Sequence, residues 1–163
     1  MYQARVRPVL LGAAAVVLLV AGCTSEKQPI GPIGLPAADQ QTADAVEQTV
    51  RTLFDAVGPA YVSYDDSKLR SVSTDQCSLC GLWGQTAKTL GEKKVVVALA
   101  DVEMAVRGVS DVRADGSRAE AQAVVNTANI NDPQAARTDA KYKVRLVHGD
   151  SGWRVDAVQP LVG

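Results

Sequence analysis

The hydrophobic period of this chain changes once, at Gly91, and that change limits the folds open to it more than any other feature. Before it, Val46, Val50, Leu53, Phe54 and Val57 recur at spacings of three and four. Such spacing marks an amphipathic helix with one buried face. After it, apolar residues alternate with polar or small ones: Val102, Met104 and Val106, then Tyr142, Val144 and Leu146, then Trp153, Val155 and Ala157. That is the period of strands with one wet face. Ala114-Asp115-Gly116-Ser117 and Gly149-Asp150-Ser151-Gly152 supply turn chemistry between the runs. Helices first and hairpins after predict an α+β domain, its N-terminal helices packed on the apolar, concave face of a curved antiparallel sheet.

Within the helical half, Thr42 and Asp44 suit the opening turn of the first helix. Gly58-Pro59 predicts a kink or break, because proline disfavours the helical region for the residue before it, with Ala60, Tyr61 and Tyr64 packing in a continuation. Asp65-Asp66-Ser67 opens a short helical turn carrying Leu69 and Val72. A further helix is expected from Thr74-Asp75 to Leu90, with Cys77, Cys80, Trp83, Ala87 and Leu90 on one stripe and Gly91 as its stop. Asn129 to Asp139 reads as a polar loop containing Pro133.

The amino terminus carries an address. Arg5 and Arg7 precede an unbroken small and aliphatic run from Val9 to Ala21, the n-region and h-region of a secretory signal. The run is short of the about 20 apolar residues that a permanent membrane span needs. It ends in Leu19-Val20-Ala21-Gly22-Cys23, which looks like a lipobox. Small residues let the peptidase close on the Gly22–Cys23 bond, and the Cys23 thiolate can accept diacylglycerol as a thioether. The expected organisation is therefore a signal peptide over 1–22, lipidated Cys23 and a Pro/Gly-rich stalk over 23–40, and an α+β domain over 41–163. Acylation, by diacylglycerol and palmitate, would hold the mature protein on the extracytoplasmic face of the cell membrane.

Charge narrows the partners. Without Arg5 and Arg7, 15 basic side chains face 18 acidic ones, a net charge near −3. A nucleic-acid binder would show a clustered basic face, and an anionic-lipid sensor a polybasic segment beside its anchor. Neither pattern is in the sequence.

The stretch AVEQTVRTLFDAVGPAYVSYDDSKLRSVSTDQCSLC, from Ala45 to Cys80, resembles the opening of a small actinobacterial lipoprotein domain of unknown function, and GDSGWRVDAVQP is similar to the last hairpin of many such domains. The resemblance implies the cone-shaped fold typified by nuclear transport factor 2 and SnoaL, also called cystatin-like. It implies no activity, because that fold hosts enzymes, binding modules and assembly domains.

Chemistry-bearing residues are few. Helical geometry puts the Cα atoms of Cys77 and Cys80 about 5 to 6 Å apart, within disulfide range, and oxidation is the default in an exported chain. A structural disulfide is the expectation; the competing reading is a thiol oxidoreductase, against which stand the position before the sheet and the nearby Asp75. Two cysteines and the distant His148 do not make a zinc site, so no metal or other cofactor is expected. His148 reads as a solvated side chain beside a turn, and Asp101, Glu103 and Arg107 as the wet side of the sheet. No G-x-S-x-G elbow or phosphate loop occurs. Phe54, Tyr61, Trp83, Tyr142 and Trp153 could line a pocket or form core.

The expected role is a non-catalytic binding or protein-interaction module at the cell envelope, with homodimerisation or an envelope protein partner through an exposed apolar patch on strands 118–128 and 141–158. The alternatives are capture of a small hydrophobic molecule in the cone, which needs a cavity of a few hundred Å³, and redox chemistry at Cys77 and Cys80.

Overall fold

The computed structural model describes residues 34–128 and 136–161. The expected signal peptide over 1–22, Cys23 and most of the expected stalk lie outside the described residues. Four helices precede four strands: α1 (Gln40–Ser63), α2 (Ser67–Val72), α3 (Ser78–Glu92), α4 (Leu99–Val102), β1 (Met104–Ala114), β2 (Arg118–Thr127), β3 (Thr138–Gly149) and β4 (Gly152–Leu161). The strands form one antiparallel meander in the order β1-β2-β3-β4. The predicted α+β architecture is the observed one.

Helix α1 begins where Asp39 accepts a 2.8 Å hydrogen bond from the Thr42 N–H, satisfying an otherwise unpaired first-turn donor. It then runs 24 residues through Gly58-Pro59, where a kink or break is predicted. The reason is which side each residue faces. Pro59 and Asp55 are both exposed, so the carbonyl that loses its i+4 donor at Pro59 meets water, and the buried ladder beside it stays intact. Gly58 is buried instead against the turn after α4: a Cβ there would stand 2.9 Å from Leu99 Cδ1 and 3.2 Å from Glu103 Cα.

Gly91 is likewise not a stop. Helix α3 continues to Glu92, and Gly91 makes room for the Tyr64 side chain, whose Cβ would lie 2.9 Å from an added methyl. Tyr64 ends α1 at φ 60° and donates its hydroxyl to Val95 O at 3.1 Å. Two further expectations change. Val102 belongs to α4 and not to a strand. The stalk ends sooner than Gln40, because Ala38 N–H donates to Val112 O and Ala114 N–H to Pro36 O, laying the segment before α1 along the edge of β1.

The core lies between the apolar face of α1 and the inward side chains of the sheet. Val46, Val50, Leu53, Phe54 and Val57 are buried against a floor that includes Ala119, Ala121, Ala123 and Val125 of β2. Three alanines in alternation keep that floor shallow, so the helix can approach closely. Curvature comes from irregular pairing: the β1–β2 register shifts between Val106 and Gly108 and again between Ser110 and Arg113, and β3–β4 shifts at Arg145/Leu146. Bulges of this kind bend and twist a strand. Arg51 of α1 donates to Val106 O at 3.1 Å, supplying a partner at the first irregularity.

Candidate functional site

The α1 side of the curved sheet leaves a cavity of about 180 Å³ at one end. Helix α1 contributes Val57 and Tyr61, one turn apart on its buried face, and α3 contributes Trp83. Asp101, Val102, Glu103 and Met104 enter from α4 and the turn into β1, Thr127 and Ala128 from the end of β2, and Tyr142 from β3. Phe54 lies beneath, fully buried, with its ring centroid 5.8 Å from Trp83 and 5.3 Å from Tyr142. Burial pushes the phenol pKa values of Tyr61 and Tyr142 above 10, so both hydroxyls are neutral at physiological pH.

Of the five aromatic residues singled out in the sequence, Tyr61, Trp83 and Tyr142 line this cavity and Phe54 supports them. Trp153 does not join them: it packs edge-on against His148 at a centroid distance of 4.9 Å, by the β3–β4 turn. His148 is exposed there.

Asp101 and Glu103 correct an expectation. They are not on the wet side of the sheet but at the mouth of the cavity, because α4 interrupts the alternation that assigned them. Arg137, which sequence reasoning missed, holds this mouth in place. Its guanidinium donates to Ala100 O at 3.0 Å, Glu103 O at 2.7 Å, Asn126 O at 3.1 Å and Asn126 Oδ1 at 2.9 Å. Asn126 in turn donates to Asp139 Oδ1 at 2.7 Å. Only a planar, multiply donating group can tie three segments in this way, yet an arginine in a polar loop carries no sequence signal for it.

Cys77 and Cys80 are joined at the first turn of α3, with a Cα–Cα distance of 5.2 Å, as their spacing predicts. Cys77 is 1% and Cys80 4% exposed. Cys77 N–H donates to Thr74 O, and Thr74 N–H to Val155 O at 2.8 Å, so the linked turn is fastened to β4. A dithiol exchange centre needs an accessible sulfur to attack or be attacked; two sulfurs this covered suit a staple. A cleft of about 310 Å³ runs beside the pair. Three of its charged groups serve one another: Asp66 forms an ion pair with Arg70 and stands 3.4 Å from Lys88 Nζ, tying α2 to α3 over Gly84. Among the described residues no three His, Cys, Asp or Glu side chains gather as a metal site.

The outer face of the sheet is charged where an apolar patch is predicted. Arg118, Lys141 and Arg145 are exposed on it, and Lys143 pairs with Glu120 at 2.8 Å. The exposed large apolar side chains of the described residues are Val62, Leu82, Val95, Val96 and Leu99 on the helical side and Leu161 at the end of β4.

Comparison with solved structures places this architecture. The chain superposes on an NTF2-like protein involved in plasmid conjugation with TM-score 0.51 and 11% identity, over 78% of this chain and 42% of that one. A domain of unknown function with a cystatin-like fold from Nostoc punctiforme matches with TM-score 0.50 and 12% identity, over 76% of this chain and 78% of that one. The fold is the NTF2-like cone. This chain spans less than half the length of the conjugation protein, and at such identities the likeness is one of fold alone. No protein-family model and no curated relative matches the sequence. Within the NTF2-like cone, the cavity described above lies between the helices and the concave face of the sheet. No helix of the described residues is long and apolar enough to cross a membrane.

Proposed function

We propose that this chain is a lipid-anchored, extracytoplasmic binding module of the cell envelope, non-catalytic, which takes a small molecule into the mouth of its cone. The observation that carries the reading is the cavity itself, walled by Tyr61, Trp83 and Tyr142 on a buried Phe54 and closed at one side by the Arg137-held turn. Apolar rings with a few convergent polar groups are the ordinary makeup of a ligand site. Its volume is below the about 300 Å³ of drug-sized sites but above the about 150 Å³ that accommodates benzene, so the ligand is small. The charged outer face of the sheet weighs against docking of an apolar partner there. The anchor rests on the sequence Leu19-Val20-Ala21-Gly22-Cys23 and the resemblance to actinobacterial lipoproteins.

Native mass spectrometry of the protein, purified without reductant from cells that export it, tests the reading. A mass above that of the acylated chain, released on denaturation as one defined small molecule, is expected. The bare acylated chain, monomer or dimer, would overturn it in favour of protein–protein interaction. An unmodified Cys23 would refute the anchor independently.

A further inference from the structure

We infer that the ligand of this cavity is a small organic cation, an amine or quaternary ammonium group; the inference rests on the reading of the cavity as the binding site. The charge of the lining is one-sided. Among the described residues it contains two carboxylates, Asp101 and Glu103, and no lysine, arginine or histidine. Arg137 stands at the mouth, 3.9 Å from Glu103 Oε2, with four of its five N–H donors taken by the carbonyls of Ala100, Glu103 and Asn126 and by the Asn126 side chain. It partly offsets Glu103, which leaves Asp101 as the carboxylate of the site without an ion-pair partner among the described residues.

Three ligand classes can be compared on this lining. An anion meets two carboxylates of its own sign. A neutral apolar molecule fills the ring-lined space but strips water from half-buried Asp101 and gives it nothing in return, and an unpartnered carboxylate is costly to desolvate. A cation meets a carboxylate and aromatic rings together. Trp, and then Tyr, are the rings whose faces attract cations most strongly within about 6 Å, and Tyr61, Trp83 and Tyr142 surround the same space. A trimethylammonium head is of the size class that a cavity of about 150 Å³ holds, within the 180 Å³ available.

The test compares two molecules of one shape. The full chain, purified in a maltoside detergent and carrying Trp153→Phe so that Trp83 is the sole emitter, is titrated with choline and with its uncharged isostere 3,3-dimethylbutan-1-ol. The expected result is saturable quenching by choline with an affinity about tenfold or more above that of the isostere, and loss of that preference in Asp101→Asn. Equal binding of the two would overturn the cation assignment while leaving the cavity as a binding site. Saturable binding by neither would overturn both.

Discussion

Replacing Phe54 by alanine removes the ring on which the cavity rests. The side chain is fully buried, between Trp83 at 5.8 Å and Tyr142 at 5.3 Å. Losing its burial costs about 2 kcal/mol in transfer free energy. The space left, roughly 100 Å³ if the neighbours stay in place, adds about 2 kcal/mol at about 24 cal/mol per Å³. The sum of about 4 kcal/mol lowers the melting temperature by about 15 °C in a domain of this size. Urea titration followed by tryptophan emission reads the loss as a shift in midpoint at unchanged slope. Because the void opens next to an existing cavity, benzene added to the variant should recover part of the midpoint, as ligands bound only by the folded state do. A loss under about 1 kcal/mol, or no benzene effect on a destabilised variant, would refute the placement of Phe54 beneath the site.

Gly58→Ala should push the turn after α4 outward, since the new methyl would sit 2.9 Å from Leu99 Cδ1 and 3.2 Å from Glu103 Cα; a cost of about 1–3 kcal/mol in urea midpoint is expected, and a neutral result would mean that the turn is not packed on α1. Arg137→Lys should cost about as much as Arg137→Met, about 2 kcal/mol, because an ammonium cannot span the acceptors on both α4 with its C-cap and β2; full stability in the lysine variant would count against the bridging role. Reduction of Cys77–Cys80, or Cys80→Ser, should cost about 2 kcal/mol by loop entropy and leave the thiol status of other proteins unchanged, whereas a trapped mixed disulfide with another protein would revive redox chemistry. On acidification, Asp115 is held down to about 2 by the side-chain bond from Arg118, and Asp39 and Asp65 are lowered by the backbone N–H groups of Thr42 and Ser67. The folded state thus binds these protons less tightly than the unfolded chain. The stability they add is present above about pH 4 and lost as pH falls towards about 2, so a urea midpoint that does not fall over that window would contradict it.

The helices and hairpins are legible in the sequence because each buries one face and so imposes one period. What was not legible depends on contacts between elements. Gly58-Pro59 reads locally as a break; that Pro59 faces water and Gly58 faces Glu103 is decided by the docking of α4. Leu99 to Val102 follows the apolar run Val95 to Val97 and reads as the approach to a strand, because four residues are too few to display a helical period. Moving that segment into a helix also moves Asp101 and Glu103 from a solvated sheet face to the rim of the cavity. The aromatic lining was half visible for the same reason. Tyr61 and Trp83 sit on helical stripes that must face inward, but whether Trp153 reaches the same end of the sheet depends on strand register, and the Gly149–Gly152 turn places it beside His148 at the other end.

The short pairing of Pro36 and Ala38 with β1 has a consequence for how copies of this protein meet. An open four-stranded sheet offers two free edges to any extended chain, and the end of one, at Val112 to Ala114 of β1, is covered by the protein's own leading segment. The opposite edge, β4, is held near its start by Thr74 at Val155 and carries Pro160 near its end, where a backbone donor is missing. With each edge shortened in this way, a neighbouring copy finds less free backbone on which to pair a strand of its own.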